Sequence, residues 1–259
     1  MQTVDAGKRK YARVTPVILG FFTAVLMSFS LLVAAAYSAL YLNPGYMERE
    51  YIKYDVLSKL PCEMTMSDED GLMAVSDHMM DFLLHGEQAE ELQIEVMIDG
   101  EIQPFFSDQE LEHMMDVRDI FMITIRLFAF CLIGAIMLQL ISRIAVCHDE
   151  PKIFRYSDGV GIIAGTLAVL AGFAAAVIVV SRDFTTAFDW MHHRLFSNLL
   201  WLMDPNDNLL VNIVPEGFFS DTAIRIGIIY VILMLLMLGV GVLLIKRAKK
   251  LPDYQFTSF

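Results

Sequence analysis

The sequence predicts an α-helical membrane protein with four transmembrane helices, a small α+β extracellular cap and an interfacial amphipathic helix. Three observations carry this. Of its 259 residues 56% are hydrophobic, where a soluble domain has about 45–50%. The apolar residues gather into four runs, each long enough to cross a bilayer. Basic residues cluster beside the ends of those runs in an alternating pattern.

The runs are 17–42, 120–142, 159–180 and 222–245. Each meets the roughly 20-residue length needed to cross about 30 Å of hydrocarbon. The first and third carry no charge, and the second is interrupted only by Arg126. The first is too long for a cleaved signal region and is followed by Asn43-Pro44-Gly45.

Basic residues near span ends mark the cytoplasmic side. Lys8, Arg9, Lys10 and Arg13 precede the first run, and Lys246, Arg247, Lys249 and Lys250 follow the fourth. Segments 1–16 and 246–259 are therefore expected in the cytoplasm. The 143–158 loop, with Arg143, Lys152 and Arg155, joins them there. Two segments face outward: 43–119 and 181–221.

The longer outer segment is strongly acidic yet carries folding signals. Ser67-Asp68-Glu69-Asp70 reads as a helix start, with helical periodicity to Leu84. Residues 94–106 alternate apolar and polar around Asp99-Gly100, a two-residue hairpin turn. Ser107-Asp108-Gln109-Glu110 is a capping box, so a helix is expected to start there and run into the second span.

Charge and cysteine usage exclude several classes. A formal net charge of −12 provides no basic face for nucleic acid. Cys62, Cys131 and Cys147 are dispersed, with no CxxC pair, which is neither a disulfide framework nor a zinc knuckle. No HExxH or other compact metal-ligand spacing occurs.

Five of the six histidines lie in the outer segments: His78, His85, His113, His192 and His193. A lone surface histidine needs no function, but two of these have informative positions. His113 shares a helical face with Glu110 and Asp116, carboxylates expected to raise its pKa. It lies roughly 10 Å above the start of the second span, at headgroup depth. Arg118 is nearer the hydrocarbon, where a long side chain can snorkel. Arg126 is inside the span and is expected to face the bundle or a polar cavity. Phe184, Phe188, His192 and Leu195 recur at helical spacing, which puts His192 on the apolar face of an interfacial helix. His193 points about a quarter-turn away. Trp190 and Trp201 suit a belt at the membrane interface.

These residues also carry a family resemblance. The stretch from His192-His193-Arg194-Leu195-Phe196-Ser197-Asn198-Leu199-Leu200-Trp201, followed by Asp204-Pro205, Asp207, Leu209 and Pro215-Glu216-Gly217-Phe218-Phe219, resembles the bacterial lipoprotein intramolecular transacylase family. So does Phe105-Phe106-Ser107 with Glu110, His113-Met114 and Asp116-Val117-Arg118. The resemblance covers nearly the whole chain. Met191 stands where the family usually has an aromatic residue, and Arg118 where it often has lysine. The spacing to Phe196, Asn198 and Trp201 selects His192 over His193.

The resemblance implies a substrate: a lipoprotein whose N-terminal cysteine bears a diacylglyceryl thioether and a free α-amine. It implies movement of the sn-2 acyl chain to that amine, without metal or acyl-donor cofactor. It also implies a site in which His113 and His192 act as base and as proton or hydrogen-bond donor, in an order the sequence leaves open. Asp116 is expected to orient His113. Asn198, Trp201 and Asp204 are expected to shape the pocket, with Arg118, Arg126 and His193 in support and Phe188, Phe196 and Phe128 as apolar lining. The partners are then diacylglyceryl lipoproteins and membrane lipids, not nucleic acid. Two other readings compete: a metal-dependent membrane hydrolase using His78, His113, His192 and His193, and a non-enzymatic scaffold or sensor with an acidic ectodomain.

Overall fold

The protein is described by a computed structural model covering residues 2–60, 68–98, 101–144 and 151–251. Four of its helices are long and apolar enough to cross a membrane. They are α1 (Gln2–Tyr41), α5 (Asp108–Ser142), α6 (Pro151–Val180) and α9 (Glu216–Lys249). All four outrun the apolar segments read from sequence. At about 1.5 Å per residue, the 35-residue α5 is longer than the hydrocarbon is thick. Its charged first third, from Asp108 to Asp119, therefore stands outside the 120–142 span.

Two compact units divide the chain. One holds residues 1–37, 126–179 and 226–259. Close helix approach marks this unit. A Cβ at Gly161 would lie 2.2 Å from the carbonyl oxygen of Val17, and one at Gly165 would lie 2.6 Å from that of Phe21. Glycine at both positions lets α6 lie against the backbone of α1. Gln139 donates to Thr23 Oγ1 and to Asp158 Oδ1, both at 3.1 Å, and ties three helices together inside the bundle.

The second unit comprises residues 38–125 and 180–225. It contains α2 (Tyr46–Tyr54), α3 (Val56–Lys59), α4 (Asp68–His85), a 3-10 turn (Ala89–Leu92), β1 (Glu95–Ile98), β2 (Glu101–Pro104), the start of α5, α7 (Phe184–Leu195) and α8 (Leu210–Ile213). The expected hairpin is present, with β1 antiparallel to β2 and Ile98 opposite Glu101. Its turn at 99–100, Ser67, Cys62, Cys147 and His148 lie outside the described residues. The helix α2 is absent from the sequence reading. It follows Gly45, whose φ of 68° favours glycine, and it buries Tyr46, Met47, Glu50 and Tyr51 along one face.

A single core binds the two chain segments of this unit. Leu72, Val75, Met79, Phe82 and Leu83 of α4 pack with Phe105, Phe106, Leu111 and Met114, and with Leu210, Ile213 and Phe218 from the distant segment. Its polar fastening is Glu110, 1% exposed. One carboxylate oxygen accepts from the Ser107 backbone N–H at 2.7 Å, completing the capping box, and the other accepts from the Leu210 backbone N–H at 2.6 Å. Ser107 Oγ donates to Asn208 Oδ1 at 3.1 Å beside it. Gln109 donates to the carbonyls of Leu200 and Leu202 at 2.8 and 3.1 Å.

Glu110→Ala leaves two backbone donors without their acceptor and is expected to cost roughly 2–5 kcal/mol. Glu110→Gln keeps an acceptor oxygen and is expected to lose less. The midpoint of thermal unfolding in detergent checks both. Equal midpoints for wild type and the alanine variant would contradict the fastening role.

Candidate active site

The α5 capping box sets the register of that helix, and His113 emerges one turn further on. Asp183 caps α7 by accepting from the Thr186 backbone N–H at 3.0 Å. The helix α7 then buries one side chain, His192. Loss of water from one face selects it over His193, which is exposed. The apolar stripe is shorter than expected, because Leu195 at its end is half exposed.

The two histidines meet. Their ring centroids lie 6.4 Å apart, and each is 8% exposed. Phe196 sits beside both rings, at 5.0 Å from His113 and 5.6 Å from His192. Phe188 lies 4.2 Å from His192 with its ring tilted 54° to the imidazole, Phe219 supports Phe188 at 5.1 Å, and Trp201 lies on His192 at 5.0 Å. The pair thus sits in a cage of aromatic carbon. His193 meets Trp201 in a T-shaped contact at 4.8 Å, and its Nδ1 bonds the Asp189 carbonyl at 2.9 Å.

The polar atoms within the cage are unevenly satisfied. His192 Nδ1 lies 2.8 Å from the Phe188 carbonyl oxygen. A carbonyl only accepts, so Nδ1 carries the hydrogen, and in the neutral ring Nε2 keeps the lone pair. By contrast His113 Nδ1 and Trp201 Nε1 are buried without a hydrogen-bond partner. Buried polar atoms are normally paired, so two orphans beside one imidazole pair mark a place for ligand atoms.

Burial lowers the His113 pKa to about 4, the nearby His192 pushes it the same way, and Asp116 opposes them more weakly. This reverses the rise expected from sequence. Glu110 is turned toward Ser107 and Leu210, and Asp116 accepts from Asn198 Nδ2 at 2.8 Å. Neither carboxylate hydrogen-bonds His113, and desolvation decides the sign. His113 is therefore neutral across the physiological range.

The remaining sequence candidates divide. Asn198 joins its loop to α5 through Asp116, three residues beyond His113, and its Oδ1 accepts from the Leu200 backbone N–H at 3.2 Å. Asp204 is exposed, and its Oδ1 accepts from the backbone N–H and the side chain of Asn206 at 2.9 and 2.8 Å. It shapes the loop that carries Asn208. Arg118 bonds its neighbour Asp119 at 3.0 Å, with its Nε buried and unpaired. Arg126 and Phe128 belong to the unit of spanning helices, and Arg126 is exposed there instead of facing the bundle. Its long side chain has room to snorkel, which removes the reason for an interior position. His78 bonds the Glu91 carbonyl and His85 bonds Asp81, each at 2.8 Å. Among the described residues no three His, Cys, Asp or Glu side chains gather as metal ligands. Sequence reasoning missed Gln109 and Asn208, which bind the two segments. Gln109 falls inside the capping box, but nothing in the sequence names its distant acceptors.

The family model for the lipoprotein intramolecular transacylase Lit matches residues 18–219. No curated protein matches the chain. The fold is similar to that of the membrane-integral lipoprotein intramolecular transacylase Lit from Bacillus cereus, solved in meso. One such structure has a TM-score of 0.56 at 18% identity, covering 90% of this chain and 94% of that one. A histidine-to-alanine variant of that enzyme gives 0.62 at 17% identity, covering 90% and 95%. A histidine-to-arginine variant gives 0.56 at 17% identity, covering 96% and 95%. At this identity the structures establish the fold, an α-helical bundle of four membrane helices with a small two-stranded sheet. The family model spans well over half of the sequence, and the chain belongs to the lipoprotein intramolecular transacylase family, bacterial membrane enzymes that act on lipoproteins.

Proposed function

We propose that His113 and His192 are the catalytic pair, and that they move the sn-2 acyl chain of a diacylglyceryl lipoprotein to the α-amine of its N-terminal cysteine. The observation that carries this reading is the buried imidazole pair, 6.4 Å between centroids, with unsatisfied polar atoms facing it. Two rings at that separation can lie on either side of one tetrahedral carbon, each within hydrogen-bond reach of it.

His192 is the base. Its Nδ1–H is held by the Phe188 carbonyl, which leaves Nε2 free to accept a proton. The neutral α-amine attacks the sn-2 ester carbonyl carbon. As the C–N bond forms, Nε2 takes a proton from nitrogen. The tetrahedral intermediate then collapses, the bond from carbon to the glyceryl oxygen breaks, and the same proton passes to that oxygen. The products are an N-acyl cysteine and an S-monoacylglyceryl group, with no net proton uptake. Neutral His113 resists protonation, so it acts as a hydrogen-bond donor to the developing oxyanion and not as an acid. Its low pKa keeps a charge out of the cage before reaction. Attacking amine and ester belong to one substrate molecule, which supplies much of the entropic advantage of a positioned nucleophile. An ester exchanged for an amide runs downhill, which suits an enzyme without an energy source.

Asp116 and Asn198 position the site by locking the 196–208 loop to α5. The aromatic cage excludes water, which would otherwise hydrolyse the ester. The site opens toward the outer leaflet, because the substrate's acyl chains stay in hydrocarbon. Both termini then lie in the cytoplasm, as the flanking basic residues require.

Mass spectrometry of lipoprotein N-termini tests the reaction directly, in cells lacking any other N-acylation enzyme. With the protein present the lyso form is expected. His192→Ala is expected to lower its formation about 10²–10⁴-fold and His113→Ala about 10²–10³-fold, with His193→Ala mild, all at matched expression. Equal losses at His192 and His193 would remove the register argument.

The pH profile follows from the charge states. The His113 pKa of about 4 removes it from titration between pH 5 and 8. The substrate amine titrates near 7.7–8.0. With purified enzyme and a diacyl lipopeptide, kcat/KM is expected to fall below pH about 8 as the amine gains its proton. A profile flat down to pH about 6.5 would contradict the requirement for a neutral amine.

Topology has its own check. A cysteine placed at Asp99 is expected to react with an impermeant thiol reagent on intact cells. Tags at either terminus are expected to be protected from external protease. A protected residue 99 would reverse the orientation.

A further inference from the structure

The unit of spanning helices contains a cavity of about 790 Å³ that the transacylase reaction does not use. It is formed by α1, α5, α6 and α9 and is lined mostly by apolar side chains, including Met27, Leu31, Leu236 and Met237. Three arginines also line it: Arg143, Arg155 and Arg247. They share one end of the bundle, because Arg143 follows the last residue of α5, Arg155 lies in the first two turns of α6, and Arg247 lies in the last turn of α9. None makes an ion pair among the described residues. The single acidic lining residue, Asp158, is buried and already accepts from Gln139. A cavity of this size lies within the range of small-molecule sites, about 300–1,000 Å³.

We propose that this cavity binds one anionic phospholipid, with its phosphate held by Arg143, Arg155 and Arg247 and an acyl chain running between the helices. Charge complementarity selects the occupant. Three guanidinium groups without an ion-pair partner among the described residues, beside an apolar slot, match a phosphate joined to hydrocarbon, and a basic pocket between spanning helices is a recurrent headgroup site. A neutral lipid would leave the arginines unpaired, and a free phosphate would leave the apolar walls bare. The site belongs to the helix bundle and is independent of the chemistry assigned to the histidines.

The test is native mass spectrometry of the full chain in detergent, titrated with phosphatidylglycerol, with phosphatidylcholine of the same acyl chains, or with inorganic phosphate. One tightly retained phosphatidylglycerol per chain is expected, with phosphatidylcholine weaker and phosphate unable to displace it. Arg143→Gln, Arg155→Gln and Arg247→Gln together are expected to weaken phosphatidylglycerol binding roughly 100-fold, at about a tenfold-or-less contribution per arginine. Leu236→Trp keeps every charge while narrowing the slot, and it is expected to lose the same lipid. It decides the matter if the triple variant fails to fold. Equal binding of the two lipids would overturn the proposal. So would full displacement by phosphate, or phosphatidylglycerol binding that survives Leu236→Trp.

Discussion

Two stretches of chain must be held in one dry core before any chemistry can occur, and the Glu110 carboxylate, bound to a backbone N–H 100 positions away, is where that happens. Its two oxygens serve two backbone N–H groups, one starting α5 and one from Leu210 in the other segment. Because it is 1% exposed, water cannot replace either partner without opening the core. Phe105, Phe106, Leu210 and Ile213 pack around it. The orientation of His113 is therefore fixed by a cap one turn upstream, and that of His192 by a helix whose following loop is tied to the same α5. An imidazole pair supported this way has little freedom to drift, which is what positioning by rigid elements requires.

Desolvation then sets the electrostatics. The aromatic cage that aligns the rings also makes an imidazolium at His113 unfavourable, and a neutral site is suited to a neutral amine and a neutral ester. The buried Nδ1 of His113 and Nε1 of Trp201 are left without partners. Buried polar atoms without a protein partner cost stability, a pattern found where function opposes stability.

Much of this was legible in the sequence because it is local. The Ser107–Glu110 capping box, the strands around residues 99–100 and the stripe selecting His192 all follow from spacing within one element. The merger of the cap helix with the second span followed from the capping box that starts it just ahead of the apolar run. What escaped is nonlocal. The i,i+3 carboxylates beside His113 argued for a raised pKa, yet one is turned away into the cap and burial outweighs the other. The helix α2 was missed because its buried face mixes Tyr46, Met47, Glu50 and Tyr51, a pattern too polar to read as amphipathic without its core partners. Asp204 looked like a pocket residue and serves its own loop. The link from Glu110 to Leu210 depends on a backbone donor, which carries no sequence signal.

In the proposed reaction the acyl chain passes directly from ester to amine between two histidines, with no acyl group resting on the enzyme. A crossover experiment reads this most directly. Two diacyl lipopeptides are mixed with purified enzyme, one with a heavy-isotope sn-2 chain on a light peptide and the other with the labels exchanged. Mass spectrometry of the N-acylated products at early conversion is expected to return only the two original pairings. Scrambled products, heavy chain on heavy peptide and light chain on light, would contradict direct transfer and point to an acyl-enzyme or intermolecular step.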